Sequence, residues 1–158
     1  MFKNIENFIK GKVLFDEPMS KHTSYGIGGP AKAYITPSDK EDLKSVLRYS
    51  TKNNLPTFFV GSGSNLLVSD EGIDGLVITL GRSFNNLEIN NNKVFAQTGV
   101  MLGKMVKECI KRNLSGVESL VGVPGTLGGA LIMNAGAFGG EISNYLMNVT
   151  VITMNGNE

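Results

Sequence analysis

The sequence has no tryptophan, one cysteine and one histidine among its 158 residues. A single thiol excludes an internal disulfide framework and any cysteine-rich metal centre, and it makes a reducing cytoplasm the default compartment. With only one imidazole besides, the usual catalytic and metal-binding side chains are scarce, and no metal site is expected. Charge of one sign is missing too: fifteen basic residues oppose fourteen acidic ones. That balance argues against bulk electrostatic binding to nucleic acid or to an anionic membrane. No apolar run approaches the ~20 residues of a membrane span. The opening Met1-Phe-Lys-Asn-Ile-Glu-Asn-Phe-Ile-Lys10 carries charges through its middle and does not read as a secretory signal. What remains is globular material, 41% hydrophobic and 18% charged. It suffices for one domain with a real core, or two small lobes sharing one.

Glycine is present in excess. Seven glycines fall between Gly122 and Gly140, where an average usage of roughly 7% would put one or two. The run is not low complexity, because Leu127, Leu131, Ile132, Met133 and Phe138 are spread through it. A smaller cluster, Gly61-Ser62-Gly63-Ser64-Asn65, lies upstream. Glycine lets a backbone turn with positive φ and lets a ligand approach main-chain N–H groups. Two such loops among apolar runs suggest a chain shaped around a large, phosphate-bearing cofactor.

Residues 1–20 read as an N-terminal helix or arm, with Phe2, Ile5, Phe8 and Ile9 at helical spacing. Ala33–Thr36 reads as a strand stopped by Pro37. Ser38-Asp-Lys-Glu41 reads as a capping box, and Leu43, Val46 and Leu47 form the apolar face of the helix behind it. Asn53-Asn54 ends that helix. Thr57–Val60 is a strand-length apolar run, expected to be buried on both faces, and Gly75–Leu80 is the next strand. The texture then changes. Leu87–Ile89 and Val94–Thr98 flank the turn Asn90–Asn92 as a hairpin. Leu102, Met105, Val106, Cys109 and Ile110 make an amphipathic helix. Val149–Met154 reads as a last strand running into Asn155-Gly156, a hairpin signal with no returning strand behind it. The expectation is a truncated chain whose last strand offers an unpaired edge. The organisation read here is an arm over 1–20, a first lobe over 21–80 and an incomplete second lobe over 81–158.

In Gly61–Asn65, successive N–H groups can form an anion-binding concavity, with Ser62, Ser64 and Asn65 adding side-chain hydrogen bonds. There is no Gly-Lys-Ser/Thr, and Leu66 occupies the place of the third glycine of a dinucleotide fingerprint. The residues alone leave a phosphate cradle and a simple tight turn both open. In the long run, Pro124 can begin a short helix over 125–133 with a glycine face at Gly125, Gly128 and Gly129. Three glycines in a helix cost about 1 kcal/mol each relative to alanine, so they need a reason. A flat aromatic ligand and close helix packing both supply one. Asn134 could bond a heterocycle edge or cap the helix.

Taken jointly, Gly61-Ser-Gly-Ser-Asn-Leu-Leu67, Gly122-Val-Pro-Gly-Thr-Leu-Gly-Gly-Ala130 with Met133-Asn-Ala-Gly-Ala-Phe-Gly-Gly-Glu141, and His22-Thr-Ser-Tyr-Gly-Ile-Gly-Gly-Pro-Ala31 resemble the UDP-N-acetylenolpyruvoylglucosamine reductase (UDP-N-acetylmuramate dehydrogenase) family. Gly26 departs from that pattern, standing where family members often carry a larger, often basic, residue. The resemblance runs from about residue 20 to the last residue. It implies an α+β, two-lobed FAD-binding fold of the vanillyl-alcohol-oxidase (PCMH) type, truncated in the second lobe, with FAD between the lobes. Gly61, Ser62, Gly63, Ser64, Asn65 and Leu66, after Val60, would hold the pyrophosphate. Val123, Pro124, Gly125, Thr126, Gly128, Gly129 and Ala130, then Asn134, Gly136 and Ala137, would line the flavin and its ribityl chain. Gly99 completes the expected cofactor contacts.

The implied activity is NADPH-dependent reduction of the enolpyruvyl ether to a lactyl ether in peptidoglycan synthesis. The family's arginine, glutamate and serine proton donor lie later than residue 158, as does its substrate-binding domain. No catalytic residue is therefore assigned, and turnover by this chain alone is not expected. Partners are FAD and, in a full-length enzyme, a nucleotide sugar. The alternatives are another flavin oxidoreductase of the same fold and a non-catalytic nucleotide-binding module. His22 reads as a surface or capping residue, Cys109 and Met101, Met105 and Met133 as packing, Arg82 and Arg112 as solvated charges, and Tyr25 and Tyr34 as core or edge packing.

Overall fold

A computed structural model describes residues 2–158; Met1, the first residue of the expected arm, lies outside the described residues. The backbone divides into two units: residues up to Ser83 joined by Thr150–Glu158, and Phe84–Val149.

The first unit is built on a four-stranded sheet. Strand β1 (Lys12–Pro18) pairs antiparallel with β2 (Pro30–Thr36). Helix α1 (Lys40–Lys52) leads from β2 to β3 (Thr57–Val60), and β4 (Ile73–Thr79) inserts between β2 and β3, parallel to both. The central position of β4 explains its composition: Leu76, Val77 and Ile78 are fully buried, with neighbours on either side. Leu43, Val46 and Leu47 form the buried stripe of α1 as their spacing predicts. Met19, Ala31, Tyr34, Val60, Val68 and Val77 form a core cluster, with Leu14, Leu66 and Ile73 packed against it.

Several expectations are corrected here. The arm over 1–20 is a 3-10 helix, Phe2–Asn7, followed by a strand. The Asp42 carboxylate captures the Lys10 and Gly11 N–H groups at 2.8 and 2.7 Å and turns the chain into β1. The helix cap is Asp39 rather than Ser38: its Oδ1 accepts from the Asp42 N–H at 2.8 Å. Strand β3 has the expected bounds but not the expected burial. Phe58 and Phe59 are about half exposed, because β3 lies at the sheet edge with a single neighbour. Val149–Met154 forms no strand. Among the described residues no strand pairs with it, and it ends in a turn closed by the Gly156 N–H on the Thr153 carbonyl.

The second unit opens with hairpin β5 (Leu87–Asn90) and β6 (Lys93–Ala96), turning through Asn91 at positive φ. Helix α2 (Leu102–Lys111) buries Leu102, Met105, Val106 and Cys109, while Ile110 is half exposed, at the edge of the stripe. Helix α3 (Leu127–Ile132) and the two-residue strands β7 (Gly136–Ala137) and β8 (Gly140–Glu141) follow. Val100, Leu102, Met105, Val106, Leu120, Leu127, Ala130 and Ile142 make the core. Of the residues expected to pack, Met101 is about half exposed and Met133 and Tyr25 are largely exposed.

Candidate cofactor loops

Strand β3 delivers the chain from buried Val60 into Gly61 at the carboxyl end of the sheet. In open α/β sheets, ligands bind outside that end. Gly61, Ser62 and Asn65 are exposed, whereas Gly63 is buried. Gly63 has φ +72°, and a Cβ there would collide with the His22 carbonyl oxygen. Its own carbonyl accepts from the Ser24 N–H at 3.0 Å. Ser62 Oγ donates to Ser64 Oγ at 3.4 Å. Leu66 anchors the far side of the loop on the core cluster. The chain beyond is fastened to the same neighbour: the Gly29 N–H donates to the Ser69 carbonyl at 2.8 Å, and a Cβ on Gly29 would meet the Asp70 carbonyl. The turn therefore has a fixed floor and exposed polar groups on top. That is a cradle a nucleotide pyrophosphate fits, with no charged side chain among residues 61–66 to repel it.

The second glycine run is arranged differently from its sequence reading. Helix α3 begins after Thr126, whose Oγ1 accepts from the Gly129 N–H at 3.3 Å, so Pro124 and Gly125 precede the helix. Gly125 is buried with φ +127°. The first-turn amides are already engaged. The Leu127 N–H donates to the Val100 carbonyl at 2.7 Å and the Gly128 N–H to the Thr98 carbonyl at 2.8 Å. The buried Gly99 donates its N–H to the Phe84 carbonyl at 2.7 Å. A Cβ on Gly128 would collide with Thr98 Oγ1, so close packing accounts for that glycine. On Gly129 a Cβ would meet only Thr126 Oγ1, at 3.4 Å. Gly129 thus needs a different reason. Ala130 is buried, Val123 half-buried and Pro124 exposed.

Asn134 follows α3 at φ +43°. Its Nδ2 donates to Glu141 Oε2 at 2.7 Å and its Oδ1 accepts from the Ser143 N–H at 3.2 Å, bracing the turn that β7 and β8 close. Gly136, Ala137, Gly139, Gly140, Glu141 and Asn144 line a depression of about 450 Å³ there. Phe138 and Gly139 both have positive φ, the geometry of a tight two-residue hairpin, and Phe138 is 90% exposed.

The structure thus brings Gly61–Leu66 together in one loop of the first unit. Gly99 and the residues from 123 to 137 group in the second unit. The sequence reading missed Thr98 and Glu141, which hold these loops from other elements. Thr98 was detectable as the residue opening the Thr-Gly-Val turn, and Glu141 as the residue closing the glycine motif that ends Phe138-Gly-Gly-Glu141. Burial pushes the Cys109 thiol upward, consistent with an inert core residue. No cluster of three potential metal-ligating side chains occurs among the described residues, and no helix there is long and apolar enough to cross a membrane.

Comparison with known proteins follows the same outline. The chain is 43% identical over 158 residues to the UDP-N-acetylenolpyruvoylglucosamine reductase of Clostridioides difficile, covering 99% of this chain and 52% of that protein. It is 44% identical over 152 residues to the protein of the same name from Clostridium tetani, covering 96% and 49%. The chain thus spans about half the length of the curated relatives it matches. The crystal structure of the Thermus caldophilus UDP-N-acetylenolpyruvylglucosamine reductase superposes with a TM-score of 0.67 at 34% identity, covering 85% of this chain and 46% of that one. The 6-hydroxy-D-nicotine oxidase of Arthrobacter nicotinovorans, 24% identical, shares the fold at a TM-score of 0.72 over 94% of this chain and 35% of its own. The α+β fold is accordingly that of the vanillyl-alcohol-oxidase class. Residues 31–158 match the model of the FAD binding domain, and the chain belongs to that family.

Proposed function

We propose that this chain is the FAD-binding part of an NADPH-dependent reductase that converts UDP-N-acetylenolpyruvoylglucosamine to UDP-N-acetylmuramate in peptidoglycan synthesis. The observation that carries the reading is the 43% identity to the Clostridioides difficile reductase across 99% of the chain. Both glycine loops lie within the matched FAD binding domain. In this reading the unit that carries Gly61–Leu66 and the unit that carries Gly99 and residues 123–137 each contribute flavin-binding residues. Val60–Leu66 takes the pyrophosphate, with Gly63 setting the turn and Ser62 and Asn65 facing the phosphate oxygens. Gly99, residues 123–130 and residues 134–137 take the isoalloxazine and ribityl groups. Because the Gly128 amide already serves Thr98, this wall offers a close-approach surface rather than an anion site. Bound FAD would relay hydride from the nicotinamide to the enolpyruvyl carbon. The chain's own residues bind and orient the cofactor, and none is given a catalytic role. A cytoplasmic location goes with the nucleotide substrates.

The first test is titration of the flavin-stripped chain with FAD, followed by quenching of flavin fluorescence. Saturable binding at one FAD per chain is expected, and folded protein with no affinity for FAD overturns the reading. The substrate is tested separately, by grafting the chain in place of the matching half of the Clostridioides difficile relative. NADPH oxidation that depends on the enolpyruvyl nucleotide is expected. A flavin-loaded chimera inert toward that nucleotide would leave FAD binding standing and remove the reductase.

A further inference from the structure

Asn134 is the polar side chain that the sequence sets beside the glycine wall, but both ends of its amide are spent on the turn. Its Nδ2 donates to Glu141 Oε2 at 2.7 Å, and its Oδ1 accepts from the Ser143 N–H at 3.2 Å. The Ser143 hydroxyl, at 3.5 Å, also falls on Glu141 Oε2, so neither side-chain donor is spent on Oε1. Glu141 is exposed, and it is the one charged side chain lining the depression of about 450 Å³ formed with Gly136, Ala137, Gly139, Gly140 and Asn144. Backbone fixes its place. Glu141 stands opposite Gly136 in the β7–β8 pair, and the Ile142 N–H donates to the Ala135 carbonyl at 2.9 Å while the Ile142 side chain is buried in the core. A Cβ on Gly136 would press on the Gly140 carbonyl and on Glu141 Cγ, at 2.7 and 3.0 Å, so glycine there lets the glutamate lie against β7. We propose that Glu141 is a cofactor-binding residue whose Oε1 accepts from the ribityl hydroxyls of FAD. The inference rests on the FAD reading above and adds a residue to it.

A carboxylate accepts hydrogen bonds and donates none. The depression therefore suits a group that brings donors and no negative charge. That requirement divides the dinucleotide. The pyrophosphate is repelled by Glu141 and suits Gly61–Leu66, where no side chain is charged. The polar edge of an oxidised isoalloxazine is mostly acceptors. The ribityl chain is uncharged and rich in hydroxyl donors, and it belongs to the part of FAD that residues 134–137 take in the reading above. Glycine and alanine along the lining let such a chain come down to the backbone. Hydrogen bonds from hydroxyls to a carboxylate are charge-assisted and stronger than neutral ones. The brace on Oε2 holds the side chain in one place before the ligand arrives, so less freedom is lost on binding. Bracing alone asks for only one acceptor, which a glutamine carbonyl supplies equally well. Glutamine at this position therefore separates the brace from the ligand contact.

The test pairs Glu141→Gln with FAD analogues that each lack one ribityl hydroxyl, with dissociation constants read from flavin fluorescence and folding checked by thermal melts. The wild-type chain should bind at least one deoxy analogue about five- to tenfold more weakly than FAD. Glu141→Gln should bind FAD about five- to tenfold more weakly than the wild-type chain does. On that same analogue the variant should lose little further, the coupling expected of two groups in contact. Equal wild-type affinity for FAD and every deoxy analogue overturns the role of Glu141 and leaves the FAD reading intact. That outcome needs only the wild-type chain, whatever the stability of the variant. A loss in the variant that is the same for FAD and for every analogue also overturns the role and leaves Glu141 a brace. Folded wild-type chain with no affinity for FAD overturns both.

Discussion

Asp42 is 3% exposed, yet its carboxylate accepts from the Lys10, Gly11 and Ser38 N–H groups and from Ser38 Oγ. One side chain thus fastens the entry of β1 to the start of α1. Replacing Asp42 with Asn puts an N–H₂ group against donors, which leaves buried N–H groups unpaired. The expected loss is about 2–4 kcal/mol, seen as a lower urea midpoint with an unchanged slope. This residue also explains why the sequence named the wrong cap. Ser38-Asp-Lys-Glu41 contains two residues able to cap, and local spacing favours Ser38 with Glu41. The choice is made from Lys10 and Gly11, about thirty residues away in sequence, and no local pattern carries that information. Burial of Leu43, Val46 and Leu47 was legible for the opposite reason, since 3.6-residue periodicity is a local property.

At the scale of elements, α3 separates two glycines that look alike in the sequence. Gly128 packs on Thr98, so Gly128→Ala should cost about 1–3 kcal/mol through overpacking. Gly129 has room for a methyl group. Gly129→Ala should raise stability by as much as about 1 kcal/mol through helix propensity while weakening FAD binding. Thermal melts paired with FAD titrations check both, and Gly129→Ala protein that binds FAD normally would remove this helix from the flavin wall. The glycine runs themselves were legible because glycine marks close approach wherever it clusters. What approaches each glycine was not, since His22 and Thr98 come from other elements. Strand β3 makes the same point: four apolar residues predict the strand, but position in the sheet decides whether Phe58 and Phe59 are covered.

In the whole molecule, the chain leaves the first unit after Ser83 and rejoins it at Thr150. The returning segment is fastened to α1. Thr51 Oγ1 donates to the Met154 carbonyl at 3.0 Å, and Lys40 Nζ lies 2.7 Å from Glu158 Oε1. That hydrogen bond and the charge of Lys40 hold the Glu158 carboxyl below the usual carboxylate range. The pairing therefore stabilises the fold above that range and is lost as pH falls through it. These contacts are exposed, so deletion of Thr150–Glu158 should lower the melting temperature by only a few degrees, with little further loss on acidification. A fall of tens of degrees would mean that the segment does more than clasp α1. The strand expected at 149–154 does not form, because β-rich composition makes a strand only where a partner supplies the ladder, and among the described residues none pairs there. The excursion also has a consequence for synthesis on the ribosome. At about 5–20 residues per second, α1 emerges several seconds before the segment that clasps it. Once β4 has followed, the nascent first unit has its sheet but not its clasp while the second unit is made.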